Sequence, residues 1–377
     1  MVQDTQLRKS YYFQGEMMRL SHRMLAALSL AVGLAIAALL QFVVLSDDDE
    51  TATSPPATRQ AADALTPTGT LLALEDGAFP DNKITRIDFT TNSETTVFTA
   101  PMNTRIIDFA LSPDGSEIVI AIGVAGRERQ PPFTLSGLYR LPLDAPDDAV
   151  PVVTTDETGV FLLDPLWSPD DALYYVRFGV DENAELVADL LRYDFADDAN
   201  AVIFSDLSSP RLAPDGSSVT FIRQNDDTFE QELTVRDITG DDERILFTAD
   251  LVTDIDLPLF SPDGAWVYFS LARDDAQASG TGLAAHLLGV QTARAHPGHI
   301  VASNWWRVPI DGGEAEALTT GDAMGAIVFG DFDDAGDVLY FATINGLFAM
   351  HADGSDLTQL RAGNRFLSVA WVADDDS

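Results

Sequence analysis

One four-residue turn, recurring between apolar runs, limits what this chain can fold into more than any other feature. It reads Ser112-Pro113-Asp114-Gly115, Ser168-Pro169-Asp170-Asp171, Ala213-Pro214-Asp215-Gly216 and Ser261-Pro262-Asp263-Gly264. A degenerate copy is Asp333-Asp334-Ala335-Gly336, and a remnant, Ala373-Asp374-Asp375-Asp376, follows the run FLSVAW. Proline presets φ at about −65° in the second turn position, Asp or Ser bonds nearby backbone N–H groups, and Gly supplies the positive φ that closes the turn. Each of the four full copies, and the degenerate one, follows an apolar run and precedes an alternating β-rich one: EIVIAI, ALYYVRF, SVTFIR, WVYFSL and VLYFAT. That is a hairpin signal.

The turns begin 56, 45, 48, 72 and 40 residues apart. A propeller blade of four short strands needs roughly 40–50 residues. The period therefore predicts a β-propeller, with an insertion in the long interval at about 273–303. The ends fix the count. TLLALE (70–75) and KITRIDF (83–89) have no turn before them, and FLSVAW (366–371) has no hairpin after it. The simplest assembly uses the C-terminal strand as the innermost strand of the first blade, which closes the ring and removes an open sheet edge. The expected fold is all-β, a six-bladed propeller over residues 68–377.

WSPDD, FSPDG and LAPDG before the second strand of a hairpin, WWRVPIDGGEAEALTTG (305–321), LYRLPLD (138–144) and LFAMHADGSDLTQL (347–360) resemble TolB-like propeller repeats. The resemblance covers roughly residues 68–376. It implies the fold and little about function, because these residues build turns and cores.

Before the repeats, Met24 to Leu45 is an uncharged apolar run of 22 residues. As a helix it would span about 33 Å, enough to cross a hydrocarbon core of about 30 Å. Arg8, Lys9, Arg19 and Arg23 precede it, and Asp47, Asp48, Asp49 and Glu50 follow it. The positive-inside rule leaves residues 1–23 as a cytoplasmic tail and sends the C-terminal part outward, to the periplasm or cell surface. A cleaved signal peptide is the competing reading, although such peptides have a shorter apolar run and a small-x-small site. Residues 46–67 read as a flexible linker with a reach on the order of 25 Å.

The chain has 22 basic and 60 acidic residues, a formal charge of −38. Such a surface repels phosphate backbones, so nucleic acid is not an expected partner. Its only lysines are Lys9 and Lys83. Adaptation to high salt and plain solubility both account for that balance. Without cysteine, disulfides, cysteine nucleophiles and thiolate metal sites are excluded.

The insertion carries His286, His296 and His299. Long loops on rigid scaffolds often carry function, and this one would cap a mouth of the central channel. His286, His296 and His299 are the candidate ligands for a divalent metal, helped by a carboxylate from a neighbouring blade. Some propeller lyases of similar architecture use a histidine-held metal in the channel. Solvent-facing loop histidines are the plainer reading, and no cofactor is then required. Arg294, His296, His299 and Trp305 are the candidate binding residues. Strand alternation sends Trp305 and Trp306 to opposite faces, where blade packing makes both core unless one stacks on a ligand. Asp331–Gly336 is the nearest approach to a calcium loop, and it departs from the EF-hand pattern at Ala335 and Ala342.

No catalytic residue is nominated. The G-x-S-x-G, G-x-x-x-x-G-K and post-strand G-x-G-x-x-G motifs are missing. The expected closing strand leaves no room for the α/β-hydrolase domain of propeller peptidases. The expected function is a monomeric, membrane-anchored, non-catalytic module that binds or scaffolds a protein, peptide or glycan of the cell envelope. The alternative is a metal-dependent lyase or hydrolase working at the channel mouth.

Overall fold

A computed structural model describes residues 65–76, 82–124, 135–146, 148–180, 186–225, 227–240, 242–251, 253–273, 302–321, 324–363 and 366–373. They belong to one compact unit and contain 24 strands in six four-stranded antiparallel sheets. No helix of the described residues is long and apolar enough to cross a membrane; the run 24–45 lies outside them.

The first sheet contains β1 (Thr70–Asp76), β2 (Asn82–Asp88) and β3 (Ser93–Thr99). The second is β4 (Thr104–Leu111), β5 (Glu117–Val124), β6 (Ser136–Pro142) and β7 (Val150–Thr155). The third is β8 (Phe161–Trp167), β9 (Leu173–Val180), β10 (Leu186–Asp194) and β11 (Ala199–Ser205). The fourth is β12 (Ser208–Leu212), β13 (Ser218–Gln224), β14 (Gln231–Asp237) and β15 (Glu243–Thr248). The fifth is β16 (Thr253–Phe260), β17 (Trp266–Arg273), β18 (Ser303–Pro309) and the short β19 (Glu316–Ala317). The sixth is β20 (Ile327–Phe332), β21 (Val338–Thr343), β22 (Gly346–His351) and β23 (Thr358–Ala362). The last strand, β24 (Phe366–Val372), completes the first sheet on the far side of β1, with Thr70 opposite Val372 and Leu72 opposite Ala370.

The recurring turns join the inner strand of each blade to its second strand. Their fourth N–H returns to the first carbonyl at 2.9 Å in Ser112–Gly115, 3.0 Å in Ser168–Asp171, 2.9 Å in Ala213–Gly216 and 2.8 Å in Ser261–Gly264. The degenerate turn does the same, from Gly336 to Asp333 at 2.9 Å. Gly115, Gly216, Gly264 and Gly336 have φ of 69–71°. Where Asp171 replaces glycine, it adopts φ 63° and its carboxylate accepts the Trp167 indole N–H at 2.8 Å. Asparagine and aspartate tolerate this region because their short polar side chains bond locally.

Neighbouring blades are also linked by a repeated side-chain bond. In blades one, two, four and five, the first residue of the third strand caps the inner strand of the next blade. The Asn82 side-chain oxygen accepts Ile106 N–H at 2.7 Å, and Ser136 Oγ accepts Leu162 N–H at 2.9 Å. Gln231 Oε1 accepts Ile255 N–H at 2.6 Å, and Ser303 Oγ accepts Ile327 N–H at 2.8 Å. Ile106, Leu162, Ile255 and Ile327 each lie six residues before their turn. Asn82→Ala would orphan the buried N–H of Ile106, at a cost of about 1–3 kcal/mol. A urea-unfolding midpoint equal to wild type would refute the role given to this bond.

The core is distributed between adjacent blades. Leu72, Ile106, Ile118 and Tyr139 pack in one layer; Ile222, Phe260, Phe269 and Val308 pack in another. Every inner strand carries a register shift where it pairs with its second strand. Such bulges raise local twist and re-aim side chains at the rim of a closed sheet array.

Candidate functional site

Two groups of residues follow from this frame, one along the inner strands and one at the end of the blades opposite the recurring turns.

Along the inner strands, three contacts connect blades four, five, six and one. Ser209 Oγ approaches Asp256 Oδ1 at 3.4 Å. Arg211 leaves the fourth blade and lays its guanidinium 4.4 Å from the centroid of Phe329 in the sixth, while Nη1 donates to the Pro210 carbonyl at 2.7 Å. Asp331 accepts Trp371 N–H at 2.8 Å across the boundary between the sixth and first blades, and Phe332 N–H at 2.9 Å. Arg211 is thus held over an aromatic face, and Asp331 fastens β20 to β24.

Asp331 is also the group here whose charge is most disturbed. Close packing desolvates its carboxyl and raises its pKa from 3.8 to about 6, against the opposing pull of the Trp371 and Phe332 amides and of Arg211; Asp334 adds a little to the rise. A raised carboxyl pKa stabilises the fold below the unfolded value, and that contribution is lost as pH climbs through about 6. Compared with Asp331→Asn, the wild type should therefore lose stability between about pH 4 and about pH 7. That rise in pKa bounds the loss at about 3 kcal/mol, and the partial exposure of the Asp331 residue lowers it. Parallel urea-stability curves for the two proteins over that range would refute the assignment.

The turn end offers less chemistry. A hollow of about 520 Å³ is lined by Arg86, Asp114, Glu117 and Asp144 among others. Asp114 accepts the Ser112 and Ser116 hydroxyls and the Ser116 N–H, which hold its pKa down to about 2. Glu117 is paired with Arg140. These carboxylates shape the turn and the blade edge. Asp333, in the segment compared with a calcium loop, likewise accepts Asp337 and Val338 N–H groups at 2.9 and 3.1 Å. Among the described residues, no group of three or more His, Asp or Glu side chains is placed to hold a metal ion.

The opposite end differs in character. Here lie the connections from second to third strands and from each blade to the next. Met102, Phe161, Val180, Phe229 and Leu251 are all at this end and are 55%, 43%, 50%, 50% and 45% exposed. They belong to blades two, three and four and to the connections flanking them. The other large apolar side chains exposed among the described residues are elsewhere. Val150, Val202 and Ile245 lie on outer strands, and Leu357 lies at the turn end. Single exposed apolar residues need no explanation, whereas five at one end of the blades single out that end as a candidate interaction surface.

The residues singled out from sequence fall differently. His286, Arg294, His296 and His299 lie outside the described residues. Their segment connects β17 to β18, so it enters and leaves at the end that carries the apolar face. Trp305 is fully buried, edge-on to Phe341 with centroids 5.8 Å apart, and its backbone N–H donates to Thr319 Oγ1 at 2.9 Å. It offers no surface for a ligand, so its proposed binding role is replaced by core packing. Trp306 is half-buried on the other side of β18 and packs against the core between blades four and five.

No family model and no curated protein matches the sequence. Solved structures do match. TolB from Acinetobacter baumannii superposes with a TM-score of 0.55 at 16% identity, covering 81% of this chain and 67% of that one. A TolB protein from Agrobacterium tumefaciens gives 0.50 at 19% identity, covering 80% and 92%. The nidogen/laminin complex gives 0.53 at 12% identity, covering 81% and 98%. At these identities the likeness is one of fold, and the described residues are a six-bladed β-propeller of TolB-like architecture.

Proposed function

We propose that this chain is a membrane-anchored, extracytoplasmic, non-catalytic module that docks a protein partner on the propeller face opposite the recurring turns. The observation that carries the reading is the gathering of Met102, Phe161, Val180, Phe229 and Leu251 on that face. The chain's route supports it. Residues 65–69 lead into β1 at Thr70, which pairs with Val372 at the turn end. An N-terminal tether would therefore join the propeller at the turn end. A TolB-like propeller, and a propeller of this architecture in the nidogen/laminin complex, are precedents for the scaffold. Fold alone does not assign the partner. The apolar run 24–45, its basic leader and its acidic follower support the anchor and its orientation.

The test is site-specific photo-crosslinking of the full chain in its native envelope. Crosslinkers at Phe161 and Phe229 should capture the same protein, while crosslinkers at Val202 and Asp114 should not. Equal capture from all four positions, or none from the first two, would overturn the reading. Fractionation gives the anchor its own check: the full chain should sediment with membranes and resist extraction by high salt.

A further inference from the structure

The exposed apolar side chains do not stand among neutral residues. Asp156 and Glu157 precede Phe161 in the connection from β7 to β8, Asp227 lies two residues before Phe229, and Asp250 adjoins Leu251. Asp206 sits in the connection from β11 to β12 at the same end. All five carboxylates are exposed. Among the described residues, Lys83 pairs with Glu75 at 3.7 Å, Arg105 with Asp76 at 2.6 Å and Arg223 with Glu232 at 3.1 Å, while Arg177 meets Glu157, one of those five carboxylates, at 3.6 Å. Among the described residues, this end therefore carries exposed apolar side chains together with exposed carboxylates, and the four cations just named are each paired with an acid of the fold.

Resting on the docking reading above, we infer that the partner segment received here is a cationic amphipathic stretch of protein, with Lys or Arg interleaved among apolar side chains. Apolar residues would cover Phe161, Phe229 and Leu251, and the basic ones would meet the carboxylates between them. Complementary charge of this kind raises association rates and rejects wrong partners more than it adds affinity. The same charge disfavours an anionic lipid surface, which would face like charge across the contact.

The probes are three synthetic peptides, one of Leu and Lys, one of Leu and Glu, and one of Ser and Lys, titrated against the full chain in detergent. The Leu/Lys peptide should bind, and its Kd should rise at least about tenfold, or about 1.4 kcal/mol, in Phe161→Ser/Phe229→Ser. A comparable rise is expected in Asp227→Asn/Asp250→Asn and on raising salt, and none in Val202→Ser. Equal binding of Leu/Lys and Ser/Lys peptides, or equal loss in Val202→Ser, would mean that the acidic chain collects cations without a site and would overturn the inference. Binding of Leu/Glu as tight as Leu/Lys would do the same. A Phe229→Trp variant reconstituted in neutral-lipid nanodiscs should keep the emission of a solvent-exposed indole. A blue shift there would assign the face to the bilayer instead. Crosslinks from Phe161 and Phe229 to an acidic or uncharged segment would sink this inference and leave the docking reading intact, whereas no crosslinks would sink both.

Discussion

Removing residues 366–377 should abolish the cooperative unfolding transition of the propeller. β24 is the inner strand of the first blade and pairs with β1 from Thr70–Val372 to Glu75–Phe366. Phe366, Val369, Ala370 and Val372 are buried, and Ser368 is fully buried. Without them, the fully buried Leu71 and Ala73 lose their cover, and the backbone groups on one side of β1 lose their partners. Asp331 also loses the Trp371 N–H that it holds. Each large apolar side chain removed from burial costs about 1.5–3 kcal/mol. Together with a row of lost ladder bonds, that reaches the 5–15 kcal/mol, roughly, by which whole domains are stable. Circular dichroism during heating and protease resistance would report it. A truncated chain that melts cooperatively within a few degrees of the full one would place the structural closure elsewhere.

Trp305→Ala should destabilise the chain by roughly 3–5 kcal/mol, the range for deleting a large buried aromatic ring. The indole contacts Phe341 edge-on and covers Gly330 so closely that a Cβ at that glycine would meet its ring at 3.0 Å. The site cannot collapse readily, because Leu257, Tyr268 and Phe332 pack in the same layer between blades five and six. The measurement is the urea midpoint, read together with crosslinking from Phe229. A ligand-stacking tryptophan would lose capture and keep its stability. A core tryptophan loses stability, and the folded fraction keeps its capture.

The turns made the blades legible. Ser-Pro-Asp-Gly encodes a local backbone geometry, so it survives translation from sequence to structure residue by residue. Even Asp333–Gly336, which lacks the proline, closes with the same bond. Local alternation was equally informative at Trp305 and Trp306, which do face opposite sides of β18. The apolar face was not legible, for a physical reason. Its residues lie in separate connections without period or motif, and they share a face only because successive blades present equivalent ends on the same side. Arg211 and Phe329 meet for the same reason, from blades four and six. Histidine counting drew attention to the 273–303 segment because it is long and chemically distinctive. Exposure, which no residue-type pattern encodes, is what distinguishes Phe161 and Phe229 from the many buried phenylalanines of the blades.

The position of β1 carries a mechanical consequence. Thr70 is the first residue of a strand that is hydrogen-bonded on both sides, to β2 and to β24. Tension between a partner gripped at the far face and whatever holds the N-terminal side would run along the strand axis. It would load the two ladders in shear, all bonds sharing the force, where an edge strand would be peeled one bond at a time. The order in which the chain fills its first blade therefore sets how hard the propeller can be pulled before it yields.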